Sequence, residues 1–181
     1  MATFQPDRAV LDLLAELPSI RWTGTVWRHT FADNPPDKAN GRGARWNPPG
    51  TDALYVSLER DAALAEAEHQ IAMQPVRPRA KRTIHRLGIS LSNVLDLTDP
   101  DLLKRLGIDS EALAAVDFGA CQKVGGCAAR LGHDGILVPS ARHSGTNLVV
   151  FVGNQQPDSD LRVRSSEVVD PGGRTDSDHA A

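Results

Sequence analysis

The stretch from Gly41 to Gly50, GRGARWNPPG, constrains the fold more than any other part of the sequence. Three glycines, two prolines and an Asn within ten residues exclude a regular helix or strand and predict a shaped loop. The loop nevertheless carries two arginines and a Trp. A strand-like segment, LYVS at 54–57, follows it, and a helix-like segment, AALAEAEH at 62–69, comes next. This order suggests a site in which an arginine on a stiff loop holds a phosphate close to a carboxylate on a helix.

The charge distribution divides the chain into a neutral body and an acidic tail. Residues 154–181 hold six acidic and three basic residues, which leaves 17 of each sign in residues 1–153. A neutral body argues against a dedicated DNA- or RNA-binding protein, which would normally be strongly basic. The tail is rich in Asp, Ser, Gly and Pro, so we expect one folded domain over 1–153 and a largely disordered acidic tail over 154–181.

Cysteine and histidine usage indicates neither a metal centre nor a disulfide framework. Cys121 and Cys127 are six residues apart, and the six histidines form no ligand pair on one helix face. The N-terminus lacks the pattern of a signal peptide, and no segment approaches the roughly 20 apolar residues of a membrane span. We therefore expect a cytoplasmic protein with no metal ion, no membrane contact and no direct nucleic-acid partner.

Strand and helix patterns alternate along the chain, which predicts a mixed α/β fold, or α+β fold. Predicted strands include GTVWRHT at 24–30, GILVPS at 135–140 and LVVFV at 148–152. The helix pattern at 118–131 contains Gly125-Gly126, where we expect a break or kink. In the first strand Arg28 shares a face with Val26, so it forms either a salt bridge at the rim or a ligand contact.

The helix that follows the loop carries two glutamates, only one of which can face a site. Glu66 and Glu68 point in directions about 200° apart, and we expect Glu68 to face solvent. No Rossmann fingerprint, Walker loop or hydrolase elbow is present. The remaining polar candidates lie on strand ends, the loop and this helix: Arg28, Arg45, Tyr55, Glu66 and Ser140. Spacing alone does not connect them.

Longer stretches of the sequence resemble one known family. The run GRGARWNPPGTDALYVSLERDAALAE is similar to the core of the RES domain, which is named for its Arg, Glu and Ser. NVLDLTDP resembles the middle strand of the family, and GILVPSARHSGTNLVVF resembles its Pro-Ser segment and final strand. The resemblance covers residues 26–152, and its parts occur in the family's order.

The resemblance implies a fold, an activity and a partner. RES domains have a mixed sheet flanked by helices and are related to ADP-ribosyltransferases. They act as toxins of toxin–antitoxin systems, with a helical, Xre-type antitoxin as partner, and they consume NAD by hydrolysis or phosphorolysis. The alternatives are transfer of ADP-ribose to a protein and, from another class, a non-catalytic module that binds a nucleotide or a partner. The protein could also form a homo-oligomer, which the resemblance does not decide.

By matched position, the family's NAD-binding residues are Arg28, Arg45, Tyr55, Glu66 and Ser140, and the last four form the implied catalytic set. Cleavage of the nicotinamide–ribose bond passes through an oxocarbenium-like transition state. An ionised Glu66 can hold a ribose hydroxyl and stabilise this charge, and the arginines can clamp the pyrophosphate. Tyr55 is expected to pack on nicotinamide or ribose, and Ser140 to orient a ribose or amide group. His29 stands where some members carry Tyr.

Overall fold

A computed structural model describes residues 4–31, 34–75, 81–141 and 144–169. In chain order the elements are α1 (Arg8–Ala15), β1 (Ser19–Phe31), β2 (Ala53–Ser57), α2 (Arg60–Ala72), β3 (Arg82–Asp96), α3 (Pro100–Arg105), α4 (Ser110–Ala114), α5 (Gly119–Arg130), β4 (Gly135–Pro139), β5 (Thr146–Phe151), a 3₁₀ turn (Val152–Asn154) and β6 (Asp160–Val169). The prediction of a mixed α/β fold is confirmed. Within the described residues, the longest helix is α2 with 13 residues, and no helix is long and apolar enough to span a bilayer.

The six strands form one sheet in the order β1-β2-β5-β4-β3-β6, and β1 also pairs with β3. This extra pairing closes the first five strands into a ring. Only the β3–β4 pair is parallel. β3 is long enough to use both of its edges: β1 pairs along nearly all of one, while β6 and β4 share the other.

Two apolar clusters occupy the two sides of this ring. One is made only of strand residues from all five ring strands and fills the interior, with Val26, Leu54, Leu87, Leu137 and Leu148 among its buried members. The other packs α1, α3 and α5 against the outer side of β2, β3, β4 and β5. α2 lies elsewhere, against the outer side of β1 and β3, where Ala63, Ile84 and Val169 form a third cluster.

Part of the tail that was predicted to be largely disordered forms the strand β6. It runs antiparallel to β3, from Val169 opposite Arg82 to Asp160 opposite Ser90. The prediction does not hold for residues 160–169 because the strand is held by main-chain pairing to an open sheet edge. Its side chains are mostly exposed, so they carry no apolar pattern. Residues 170–181 lie outside the described residues.

α5 also differs from its prediction, because it runs unbroken through Gly125-Gly126. A Cβ atom on Gly125 would lie 1.8 Å from the carbonyl oxygen of Trp46, and one on Gly126 would lie 2.5 Å from the Phe4 ring. The two glycines therefore permit the close approach of the glycine loop (residues 41–50) and of the N-terminal segment to the helix backbone.

Candidate active site

A cleft of about 570 Å³ opens between α2, the ends of β1 and β2, the glycine loop and the α4–α5 connection. Arg28, Arg45, Tyr55 and Glu66 line it. Ser140 is buried directly behind, in contact with Glu66. The structure thus brings together all five residues singled out in the sequence.

The Glu66 carboxylate is held by a clamp that consists of Ser140, Asn147 and Ser57. Ser140 Oγ donates to Glu66 Oε1 at 2.8 Å, and Asn147 Nδ2 donates to the same oxygen at 3.2 Å. Ser57 Oγ in turn donates to Asn147 Oδ1 at 2.7 Å, which fixes the orientation of the amide. Both donors end on one oxygen, and the other carboxylate oxygen has no hydrogen-bond partner among the described residues.

Asn147 was not among the residues predicted for the site. It is the second residue of β5, and it pairs directly with Ser57 across the β2–β5 ladder. A polar residue at the start of the apolar run LVVF is the only signal for it in the sequence. That signal becomes interpretable only once the pairing of β2 with β5 is known.

Tyr55 stabilises the glycine loop through two hydrogen bonds of its hydroxyl. Its hydroxyl donates to Asn47 Oδ1 at 2.8 Å and accepts from the main-chain N–H of Trp46, also at 2.8 Å. Burial raises the pKa of Tyr55, so the phenol stays protonated and keeps its donor role. The side chain of Asn47 donates to the carbonyls of Asn40 and Thr51 at 2.8 and 2.7 Å. Asn47 therefore shapes the loop through its side-chain hydrogen bonds, while Tyr55 combines loop support with a place in the cleft wall.

Arg45 extends from the glycine loop to the end of α4. Its Nη1 donates to the main-chain carbonyls of Leu113 and Ala115, the latter at 3.0 Å. The guanidinium also lies 4.5 Å from the centre of the Phe118 ring, in cation–π geometry. Arg45 is therefore a fixed positive charge in the cleft wall, with its position set by the C-terminal carbonyls of a helix.

Arg28 has unused hydrogen-bonding capacity in the cleft wall. Nη2 donates to the Lys38 carbonyl at 2.8 Å, whereas Nη1 is buried without a hydrogen-bond partner among the described residues. Burial lowers the pKa of Arg28, and the charge of Asp37 opposes this shift. A buried guanidinium nitrogen without a partner costs free energy, and an anion in the cleft would supply the missing acceptor after a small shift of the side chain.

His29 and Glu68 meet behind the cleft at a buried arginine. Arg82 is only 3% exposed; its Nη1 forms an ion pair with Glu68 Oε1, and its Nε donates to His29 Nε2 at 3.3 Å. Glu68 was predicted to face solvent, and its side chain is 40% exposed, while its carboxylate also neutralises this buried cation. Burial, reinforced by the Arg82 charge, lowers the pKa of His29 to about 4, so His29 is neutral near pH 7.

The segment VRPRAKRTIHR at 76–86 is rich in basic residues, and its residues 76–80 lie outside the described residues. Within the described part of the chain, no cluster of three or more His, Cys, Asp or Glu side chains could hold a metal ion.

Comparison with known proteins places this site in a family. The model of the RES domain matches residues 13–171. The NAD(+) phosphorylase MbcT of Mycobacterium tuberculosis is 30% identical over 177 residues, which cover 91% of this chain and 92% of that protein. The probable NAD(+) phosphorylase Rv3189 of the same species is 31% identical over 150 residues, or 78% of this chain and 70% of that protein.

A solved structure agrees with the sequence comparison. The crystal structure of the M. tuberculosis MbcT–MbcA toxin–antitoxin complex matches with a TM-score of 0.81 and 28% identity, over 92% of this chain and 94% of that chain. The resemblance identified from the glycine loop and its companions is confirmed. The residues that the family model matches include β6. This chain belongs to the RES domain family.

Proposed function

We propose that this protein degrades NAD⁺ by cleaving its nicotinamide–ribose bond, with inorganic phosphate as acceptor, and that it acts as the toxin of a toxin–antitoxin pair. The observation that carries the proposal is the clamped Glu66 carboxylate, which lies in the wall of a cleft that also presents Arg28 and Arg45. The names of the relatives support NAD⁺ phosphorolysis, and the structural neighbour supports the toxin role.

In the proposed reaction the C–N bond between ribose and nicotinamide breaks, and its electron pair leaves with neutral nicotinamide. Positive charge then builds on the ribose, as in glycoside cleavage. Glu66 holds a ribose hydroxyl and stabilises this charge through a carboxylate that is already oriented and needs no reorganisation. A phosphate oxygen forms the new bond to the ribose carbon, which yields ADP-ribose 1″-phosphate. The cleft thus supplies the electrostatics, and phosphate supplies the nucleophile.

The remaining four residues take supporting roles in this proposal. Arg28 binds the pyrophosphate through its unused Nη1, and Arg45 adds a fixed positive charge to the cleft wall. Ser140 orients Glu66, and Tyr55 keeps the glycine loop in place beneath the substrate.

The test is nicotinamide release from NAD⁺ by Glu66→Gln, which keeps the size of the side chain and removes its charge. We expect turnover to fall on the order of 10²–10³-fold. Glu16→Gln, at the exposed end of α1, is the matched control and should keep full activity. A folded Glu66→Gln variant with undiminished turnover would exclude the proposed mechanism.

The identity of the acceptor needs a separate measurement. With phosphate, turnover depends on phosphate concentration and the product carries the phosphate; with water, the product is free ADP-ribose. Label from adenine-labelled NAD⁺ on a macromolecule would instead indicate protein ADP-ribosylation. A non-catalytic binding module would bind NAD⁺ saturably without releasing nicotinamide, and Arg45→Ala would then weaken binding while Glu66→Gln would not.

For the partner, we propose a small helical antitoxin of the Xre type that covers the cleft. Co-expression with such a protein should restore growth and suppress NAD⁺ loss. The buried free thiols of Cys121 and Cys127 suit a reducing, cytoplasmic setting, where NAD⁺ is also available. Light scattering of the isolated chain and of the complex would decide whether a homo-oligomer forms.

A further inference from the structure

A second cavity of about 450 Å³ adjoins the candidate cleft, and Arg28 is the one of its described lining residues with a substrate-binding role assigned above. The two cavities share Arg28, His29, Asn40 and Gln70 in their walls. Gln70 lies four residues beyond Glu66 on α2, which is about 6 Å along the helix axis. The second cavity therefore begins about one helical turn away from the carboxylate, on the side of Arg28.

The charges around this cavity favour an anion. Three cations line it, Arg28, Lys38 and Arg42, and its described lining residues include no carboxylate. Asp37, the carboxylate that acts on Arg28, is not among the lining residues. Arg28 lies where the two cavities meet, and its buried Nη1 has no acceptor among the described residues. A phosphate group that bridges the cavities would supply this acceptor after a small shift of the Arg28 side chain.

The rest of the wall suits a flat ring. Phe31 and Pro35 line the cavity, and the Phe31 ring packs edge to face on His29, with ring centres 5.5 Å apart. This contact fixes the orientation of the Phe31 ring. Asn34 adds an exposed amide, which can both donate to and accept from a heterocyclic base. A wall with apolar and aromatic groups, an amide and a cationic rim matches a nucleotide better than a simple inorganic ion.

We propose that this second cavity binds the adenosine diphosphate end of the dinucleotide, with the diphosphate at Arg28 and the adenosine between Phe31 and the Lys38–Arg42 rim. The proposal rests on the proposed function, because it places the scissile ribose at Glu66. Inorganic phosphate, the second substrate, has the same charge chemistry and is the rival occupant of the cationic rim.

The experiment measures ADP binding by calorimetry to the full-length protein, since ADP contains no nicotinamide and cannot be turned over. The variant Lys38→Ala/Arg42→Ala removes two exposed charges but keeps the Lys38 carbonyl that orients Arg28. We expect ADP to bind, and the variant to raise its Kd roughly three- to tenfold, a difference that shrinks at high salt. The matched control is Lys104→Ala/Arg105→Ala, which removes two exposed charges from α3, away from both cavities, and should bind ADP normally.

Turnover then distinguishes the two possible occupants. If the proposal holds, ADP competes with NAD⁺, and the Lys38→Ala/Arg42→Ala variant raises KM for NAD⁺ while KM for phosphate is unchanged. Absence of ADP binding, binding that the variant does not weaken, or a raised KM for phosphate alone would overturn it. Normal ADP binding without any nicotinamide release would reject the proposed function and leave the nucleotide cavity standing.

Discussion

The orientation of Glu66 depends on a chain of side chains that ends in Ser57, and Asn147 is its central link. Asn147→Ala removes one of the two donors to the carboxylate and leaves Ser140 as the other. We expect kcat for nicotinamide release to fall about tenfold, with little change in KM for NAD⁺, because the lost contact acts on the carboxylate and not on the ground-state substrate.

Asn147→Asp sharpens this test because it keeps the size of the side chain. It directs a second carboxylate at Glu66 and should lower kcat more than Asn147→Ala does. Melting curves control for loss of folding. Equal effects of the two variants, or effects confined to KM, would contradict a positioning role for Asn147.

His29 gives the stability of the protein a dependence on pH. In the unfolded chain a His titrates near 6.5, whereas burial and Arg82 lower the pKa of His29 to about 4 in the fold. Between these values the unfolded chain binds the extra proton, so the stabilisation is fully present above about pH 6.5 and is lost as the pH falls toward 4. We expect the melting temperature to fall over this range, and to fall less steeply in His29→Gln.

The melting temperatures of the wild type and of His29→Gln are compared as the pH falls. The difference between their slopes gives the contribution of His29 apart from that of the other histidines. The pKa values of His85 and His133 are also lowered by burial, and these residues contribute equally to both proteins. Parallel pH dependences of the wild type and His29→Gln would contradict this assignment.

At this same scale, residue types were easier to predict from the sequence than contacts. Arg45 and Tyr55 were identified as site residues, and both line the cleft. Their hydrogen bonds to the end of α4 and to Asn47 depend on how distant segments pack, which local patterns do not encode. The ion pair of Glu68 with Arg82 was not predicted for the same reason, because Arg82 lies on another element, β3.

At the scale of elements, the contact between α5 and the glycine loop is the most sensitive to added volume. Gly125→Ala would normally stabilise a helix by about 1 kcal/mol. Here the new methyl group would lie 1.8 Å from the Trp46 carbonyl oxygen and would have to displace the loop. We expect a net loss of about 2–4 kcal/mol in the free energy of unfolding, together with lower turnover, because Arg45 adjoins Trp46.

Gly153→Ala is the control for this prediction. Nothing lies within 4 Å of a Cβ atom at that position, so its free energy of unfolding should stay within about 0.5 kcal/mol of the wild type. Chemical denaturation measures both variants. A Gly125→Ala variant with the free energy of unfolding of the wild type would show that the loop can move away from the helix without loss of stability.

β6 shows what a sequence pattern can and cannot reveal about an element. The helix-like segment at 62–69 lies within α2, because its Ala, Leu and Glu residues have high helix propensity. β6 has a mostly exposed set of side chains, and its place depends on the open edge of β3, a property of the assembled sheet. Edge strands of this kind escape periodicity arguments.

At the scale of the whole molecule, β6 ties the sheet to the helix that carries Glu66. Val169 packs with Ala63 and Ile84, and Glu167 forms an ion pair with Arg60 at 3.2 Å. Removal of residues 160–181 should therefore lower the melting temperature by several degrees and reduce NAD⁺ turnover, because α2 loses part of its support.

Removal of residues 170–181 alone is the matched truncation. The composition of this segment predicts no packed structure, so the melting temperature should stay within about 2 °C of the full chain. Equal losses in both truncations would show that the last twelve residues, and not β6, support the fold.

The Glu66 clamp also has a consequence for how the protein is made. Its carboxylate comes from the first half of the chain, whereas Ser140 and Asn147 come from near the end. A nascent chain on the ribosome therefore has no oriented carboxylate until Ser140 and Asn147 have been synthesised and have left the exit tunnel. Fragments that end before these two residues would lack the clamp, and we expect them to release no nicotinamide from NAD⁺.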